Sequence, residues 1–193
     1  MTYQNIQPPF TLKFREMSKR ELADYAKWFH ASIPERIAQL ESAVRSTPGY
    51  ESWRATAEPE TLGSLGAWFV DHVTVRPRSP EEIAQLQQRS AMLASPPTTD
   101  LTNETFSLAM DIGMYFARTL QQAYPQLQWT QYLDNKKFAH YGQPVLIGFG
   151  VVPLNPVHIA VTLGYGIAAG KQKGTRLTEL FAVWSKQAVK AAN

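Results

Sequence analysis

The chain of 193 residues contains no cysteine. It can therefore form no disulfide bond, thiolate metal site or cysteine nucleophile, and it fits a reducing compartment. Long apolar runs are also missing: residues 145–169 are the most apolar stretch, but two prolines, an asparagine and a histidine interrupt them, whereas a membrane helix needs about 20 apolar residues. Residues 1–10 hold two prolines and no basic residue, unlike a signal peptide. We expect a cytoplasmic protein without membrane contact.

Acidic side chains are scarce in the C-terminal part. Residues 135–193 carry 7 Lys or Arg but only one acid, Glu179, whereas residues 1–134 carry 12 basic and 15 acidic side chains. The net charge of +3 conceals this asymmetry. Basic side chains on one face would attract an anionic partner, in a manner sensitive to salt because the Debye length is about 10 Å at 0.1 M. The alternative is that these cations are solvated positions in turns and at helix ends.

Motifs for catalysis, cofactors or metals are absent as well. The four histidines are scattered, without the i, i+4 pair of a helical zinc site. The glycines between Gly164 and Lys171 fit neither the phosphate-loop nor the dinucleotide spacing. We predict no cofactor and no metal, and we leave open a small enzyme without a recognisable motif. His140 is the one candidate for acid–base chemistry, although a hydrogen-bonded hairpin histidine is the competing interpretation.

What the chain does contain favours one folded domain. Hydrophobic residues make up 44% of it, including 5 Trp, 8 Tyr and 9 Phe, enough for one sizeable core at this length. We predict a single globular domain over 1–193, with a helical part at 18–123 and a hairpin plus two helices at 126–191. The predicted fold class is α+β: mainly helical, with a small antiparallel sheet.

Three Ser-x-x-Glu sequences predict helix beginnings, because the serine caps a free amide and the glutamate bonds back to the serine backbone. The pairs and their predicted helices are Ser18 with Glu21 (18–31), Ser32 with Glu35 (33–46) and Ser79 with Glu82 (80–94). Prolines 34 and 80 would occupy first turns, where a missing N–H costs little. The polar, proline-rich segment 95–99 is predicted to be a linker.

Two further helices, at 60–74 and 103–123, share a glycine placed before an aromatic pair. These glycines are Gly66 and Gly113. A glycine inside a helix costs about 1 kcal/mol relative to alanine. We therefore predict that both glycines mark close crossings against another helix or a strand.

A β-hairpin is predicted near 127–150, where a β-prone run, a polar turn and a buried strand follow one another. Asn155 and Pro156 then form a cap and first-turn pair that predicts a helix ending at Gly170. The alternation of apolar residues at 157–163 also fits a strand, and that alternative stays open. An amphipathic pattern predicts a last helix at about 176–191.

The candidate contact surface combines the 134–143 part of the hairpin with the basic turn before the last helix. Its residues are Lys136, Lys137, His140, Tyr141, Lys171, Lys173 and Arg176. Trp129, Tyr132 and Phe138 lie close to these lysines in sequence, and rings mixed with cations are typical of single-stranded nucleic acid binding. Nucleic acid is therefore the alternative partner.

The order of elements from Phe106 to Trp184 carries a resemblance. An Ile-Gly-Met-Tyr-Phe helix, a tryptophan-bearing strand, a Tyr-Gly-Gln-Pro entry to a buried strand, an Asn-Pro helix start and a final tryptophan-bearing helix follow one another. This part resembles small bacterial α+β families of unknown function, some of whose members are regarded as immunity or accessory partners of secreted toxins. The resemblance implies no catalytic residue. Nuclease inhibitors are typically acidic, whereas this chain is basic at its end.

These observations favour a non-enzymatic, cytoplasmic bacterial binding protein whose partner is a protein with an anionic surface. An immunity or accessory role is the form of that function that the resemblance implies. No oligomeric state follows from the sequence.

Overall fold

The computed structural model describes residues 3–89 and 96–192. The elements are, in chain order, α1 (Lys19–Arg45), α2 (Thr61–His72), β1 (Val75–Pro77), α3 (Pro80–Arg89), β2 (Thr99–Leu101), α4 (Asn103–Ala123), β3 (Gln128–Gln131), β4 (Pro144–Ile147), α5 (Pro156–Ala168) and α6 (Arg176–Ala192). The predicted fold class is confirmed: the described part is mainly helical, with two small antiparallel sheets. The predicted end of the third helix at 90–94, and the first linker residue, Ser95, lie outside the described residues.

Helix α1 corrects one prediction, because the two helices expected at 18–31 and 33–46 form one continuous helix. The Ser32 hydroxyl donates to the Phe29 carbonyl at 2.8 Å instead of capping a new helix, and Pro34 lies inside α1. One apolar stripe continues across this junction, from Phe29 to Ile37, and both side chains are buried. Burial of the whole stripe outweighs the single hydrogen bond that the proline removes.

The remaining helix predictions agree with the structure. The capping boxes of Ser18 and Ser79 are both present. Asn155 caps α5 by accepting a hydrogen bond from the His158 amide at 2.9 Å, so residues 157–163 are helical and the strand alternative is wrong.

The two helical glycines lie where the backbone of another segment comes closest. A Cβ at Gly113 would stand 2.7 Å from the Val157 Cα at the start of α5, which confirms a close helix crossing. A Cβ at Gly66 would stand 2.1 Å from the Gly174 carbonyl oxygen. The close approach at Gly66 is therefore confirmed, but its partner is the turn before α6 and not a helix or strand.

The predicted hairpin is present, since β3 and β4 pair antiparallel from Gln128 opposite Ile147 to Gln131 opposite Pro144. A second pair, β1 with β2, was not predicted and begins inside the segment assigned to a linker. An ion pair of 2.9 Å links the two strands: Arg78 directly follows β1, and Asp100 is the middle residue of β2.

Helix α4 is the centre of the core, and most of its residues are buried. One buried residue is charged: Asp111 accepts two hydrogen bonds from the Arg36 guanidinium of α1, at 2.8 and 2.7 Å. Burial raises the pKa of Asp111, and the hydrogen bonds and charge of Arg36 oppose that rise. Arg36 also donates to the Gln4 carbonyl at 2.9 Å, and so it fastens the N-terminal segment to the core. None of the described helices has the length and apolar character of a membrane span.

Candidate functional site

The hairpin half of the predicted contact surface lies beside the beginning of α5. Lys136 and Lys137 are exposed, and the Lys136 ammonium donates to the Arg15 carbonyl at 3.1 Å. His140 contacts the first turn of α5, with its ring centroid 5.1 Å from that of His158. Tyr141 is buried, with 4% exposure. Its side chain therefore belongs to the core and not to the surface where we placed it.

The other half of the predicted surface follows the end of α5. Lys171 and Lys173 are exposed, and the Lys171 amide donates to the Gly166 carbonyl at 2.8 Å, so the turn folds back onto the last helical turn. Arg176 is half-buried and forms an ion pair with Glu179 at 3.0 Å. This arginine is thus already neutralised by the one acid of residues 135–193.

The structure does not bring these two halves together. Helix α5 has 13 residues, which correspond to about 20 Å at 1.5 Å per residue. His140 lies at the beginning of this helix and Lys171 follows its end. The seven residues therefore form two separate groups, with Tyr141 in the core.

The rings considered for nucleic acid binding are mostly engaged with each other or with the core. Trp129 packs edge-on against Phe29, with centroids 5.4 Å apart. Tyr132 and Phe138 pack against one another at 5.0 Å. Single-stranded nucleic acids need rings whose faces are open to the bases.

His140 of the hairpin and His158 of α5 form a pair that the sequence did not reveal. The Asn155 side-chain nitrogen lies 3.3 Å from His140 Nδ1 and 2.8 Å from the Gln143 side-chain oxygen. Burial, and secondarily the charge of His158, lowers the pKa of His140. Within residues 3–89 and 96–192, no carboxylate hydrogen-bonds to either imidazole, and no group of three or more His, Asp or Glu could hold a metal ion. The pair thus lacks the orienting acid of a catalytic triad.

A surface that the sequence reasoning missed lies between the β4–α5 loop and α6. Leu146 and Leu154 exchange two backbone hydrogen bonds, of 2.7 and 2.9 Å, which close the loop between them. Phe149 anchors this loop by packing edge-on against Trp184, with centroids 4.9 Å apart. The loop tip projects into solvent, where Val151 is 96% exposed and Val152 63% exposed.

Helix α6 provides the facing wall of this concavity. The lining residues of the resulting groove, which we call the valine groove, are Phe149, Gly150, Val151, Val152, Val183, Trp184, Gln187, Lys190 and Ala191. Its volume is about 540 Å³. Val183 is half-exposed on the helix. Scattered exposed valines are ordinary, but a contiguous apolar patch marks an interaction site.

The charge around the valine groove is positive. Lys190 lines it, and Lys186 lies one helical turn before Lys190 on α6. Neither lysine forms an ion pair with a residue of the described ranges. The groove therefore combines apolar walls with cations, within the part of the chain that carries a single acid.

Comparison of the chain with protein-family models, with curated proteins and with solved structures found no significant match.

Proposed function

We propose that this chain is a non-enzymatic binding protein that holds an acidic, apolar-bearing segment of another protein in the valine groove. The observation that carries the proposal is the pair of valines at the loop tip, Val151 and Val152, which are 96% and 63% exposed opposite the half-exposed Val183. An immunity or accessory role in the cytoplasm of a bacterium is the specific form of this function that we favour.

The apolar side of the argument is energetic. Fully burying a valine side chain is worth about 1.5 kcal/mol or more. At the loop tip that gain is not realised within the chain, because Val151 and Val152 face solvent. A partner that covers both valines and Val183 would recover it, and the Trp184 ring beside them is the residue type most enriched among binding hot spots.

The charge side of the argument selects the partner. Lys190 in the groove wall and Lys186 beside it favour carboxylates over ammonium groups. The expected partner segment therefore presents apolar side chains to the valines and Asp or Glu to the lysines. This keeps the anionic partner predicted from the sequence but assigns it to α6 instead of to the two basic turns at the ends of α5.

A matched pair of short helical peptides tests the proposal. One contains Leu, Ala and Glu, and the other has Lys in place of each Glu. We expect the acidic peptide to bind, with an affinity that falls several-fold between about 50 and 300 mM salt, since exposed charges are screened. Isothermal titration calorimetry measures both peptides.

Substitutions then locate the binding. Val152→Asp places a carboxylate at the loop tip and should lower the affinity for the acidic peptide at least tenfold. Val75→Asp is the control, at a partly exposed valine on β1, and should leave that affinity unchanged. Lys190→Glu should weaken it several-fold, and Lys171→Glu makes the same charge change outside the groove. Equal affinity of the two peptides, or equal effects of the paired variants, would contradict the proposal.

Binding of single-stranded nucleic acid is the alternative function that would replace this proposal. Retardation of a short oligonucleotide at low salt, lost in Lys136→Glu but retained in Val152→Asp, would move the function to the hairpin. We expect no retardation.

A further inference from the structure

A second cavity, of about 530 Å³, lies beneath the N-terminal segment. Its floor is formed by buried side chains of α1 and α4, including Phe29 and Met110. Leu12 of the N-terminal segment lines one wall, and Val157 and Val161 of α5 line another. We call this cavity the N-terminal pocket. Its size falls within the range of sites that take small organic molecules, about 300–1,000 Å³.

The lining of the N-terminal pocket contains no side chain that is charged at neutral pH. Its polar residues carry five carboxamides and two hydroxyls, the second being a phenol: Asn5, Gln7, Asn103, Gln143, Asn155, Ser107 and Tyr25. A charged group moved into such a site loses its hydration without gaining an opposite charge. The lining therefore selects against ionic ligands.

The two most buried polar groups of the lining are already engaged. The Ser107 hydroxyl oxygen accepts a hydrogen bond from the Ile6 amide at 2.7 Å. The Asn155 side chain donates to the Gln143 oxygen and accepts from the His158 amide. The inner end of a ligand would accordingly find mainly carbon surfaces there.

Three of the carboxamides are open to solvent at the mouth. Asn5, Gln7 and Asn103 are exposed, and within the described ranges their side-chain amides form no hydrogen bond to the protein. Each amide offers both donors and an acceptor. An uncharged polar group on the outer end of a ligand can bond to them.

The wall of the pocket is fastened at both ends. Ile6 is held by Ser107, while Phe14 packs edge-on against Tyr25 with centroids 5.0 Å apart. Between these two anchors, Leu12 has a backbone φ of 57° and is 42% exposed. Phe10, between these anchors, also packs edge-on against Tyr25 with centroids 5.5 Å apart, so the pocket is formed in the free protein.

We infer that the N-terminal pocket binds an uncharged, mostly apolar small molecule, whose carbon skeleton lies against α1, α4 and α5 and whose polar, uncharged end lies at the carboxamides of the mouth. This site is separate from the valine groove in its lining, and the inference does not depend on the proposed protein partner.

Two aromatic probes with the same ring system test the charge selection. N-phenyl-1-naphthylamine is uncharged, and 8-anilino-1-naphthalenesulfonate adds a sulfonate to it; both fluoresce more strongly in apolar surroundings. We expect the uncharged probe to bind the full chain with micromolar affinity, at least tenfold more tightly than the sulfonate binds in this pocket. Fluorescence titration measures both affinities.

Val161→Phe fills the pocket from α5, and Val183→Phe makes the same change at the valine groove. We expect the first variant to bind the uncharged probe at least tenfold more weakly and the second to bind it like the unchanged chain. Retained affinity in Val161→Phe, or equal loss in both variants, would overturn the inference.

Methyl NMR on the unsubstituted chain gives a second measurement that requires no variant to fold. The uncharged probe should shift the resonances of Val157, Val161 and Met110, and it should leave those of Val151 and Val152 in place. Shifts confined to the valine groove, or no shift at saturating probe, would also overturn it.

Discussion

The valine groove and the N-terminal pocket have almost the same volume, about 540 and 530 Å³, but opposite surroundings. The groove lies between a projecting loop and the last helix, and Lys190 lines it. The pocket lies over the central helix α4 and has no charged lining residue. The comparison teaches that volume alone does not define a ligand: from the difference in charge we expect an acidic peptide segment in the groove and an uncharged molecule in the pocket.

The two concavities also differ in what supports them. The pocket residue Ser107 accepts a hydrogen bond from Arg36, which forms an ion pair with Asp111; the two charged side chains are 6% and 0% exposed. At the groove, Val151 and Val152 project into solvent. Substitutions in this ion pair should therefore lower the free energy of unfolding, whereas those at the groove should change binding alone.

The largest effect is expected for Arg36→Met. Removing one partner of a buried ion pair leaves the other charge unpaired and costs about 3–5 kcal/mol. The free energy of unfolding, measured with urea, should fall by about that amount. Because Arg36 also holds the Gln4 carbonyl, the N-terminal segment should become sensitive to limited proteolysis, while the folded fraction keeps its affinity for the acidic peptide.

A double variant is the control for this prediction. Arg36→Met combined with Asp111→Leu removes both charges, and an apolar pair of similar volume is often as stable as a buried ion pair. We expect it to recover at least half of the lost free energy of unfolding. No recovery would show that the arginine stabilises the fold through Gln4 and Tyr3 rather than through Asp111.

The next effect concerns the crossing of α4 and α5, which carries the inner wall of the pocket. Gly113→Ala places a methyl group 2.7 Å from the Val157 Cα, and such overpacking costs about 1–3 kcal/mol. Gly63→Ala is the matched control in α2, where the nearest atom is 3.8 Å away. It should raise the free energy of unfolding by up to about 1 kcal/mol. Similar values for the two variants would refute a close crossing.

A smaller effect on stability is expected from the protonation of His140, beside the beginning of α5. Burial and the charge of His158 lower the pKa of His140 in the folded chain, whereas the unfolded value is about 6.5. His140 therefore binds a proton less readily in the folded state than in the unfolded state. Its contribution to the free energy of unfolding is fully present above pH 6.5 and decreases as the pH falls below that value. NMR titration should show that the pKa of His140 lies below its usual range and that it is higher in the His158→Gln variant. An unchanged pKa in that variant would remove His158 as a cause.

The smallest effect on stability is expected for Val152→Asp. Surface substitutions usually change the free energy of unfolding by less than about 0.5 kcal/mol, and Val152 is 63% exposed. Urea denaturation should show no larger change, although the acidic peptide should bind at least tenfold more weakly. A loss above about 1 kcal/mol would mean that the loop tip packs into the fold.

Local sequence signals predicted most of the helices, because caps and apolar spacing depend on a few neighbouring residues. Helix α4 has the bounds expected from its pattern, and Asn155 begins α5 as its capping chemistry indicates. The same rules failed at Ser32, where a valid capping sequence lies inside α1. A continuous buried stripe overrides a local signal, and its burial becomes visible only once α4 is in place.

The candidate site was harder to predict from the sequence, because it depends on contacts between segments that are distant along the chain. His140 and His158 meet only because the hairpin lies against the start of α5. The valine groove requires Phe149 to contact Trp184, residues separated by all of α5. The one signal available was the pair Val151-Val152 between glycine and proline, an apolar dipeptide in a turn-like context.

The contact of Gly66 with Gly174 lies outside the valine groove, but it has a consequence for that groove. Gly174 precedes α6 by two residues, and its carbonyl rests where Gly66 has no side chain. There the backbone of the turn before α6 lies directly against the backbone of α2, so we expect a methyl group at residue 66 to displace this turn and, with it, the beginning of α6. We then expect Gly66→Ala to change the affinity for the acidic peptide, although residue 66 does not line the groove.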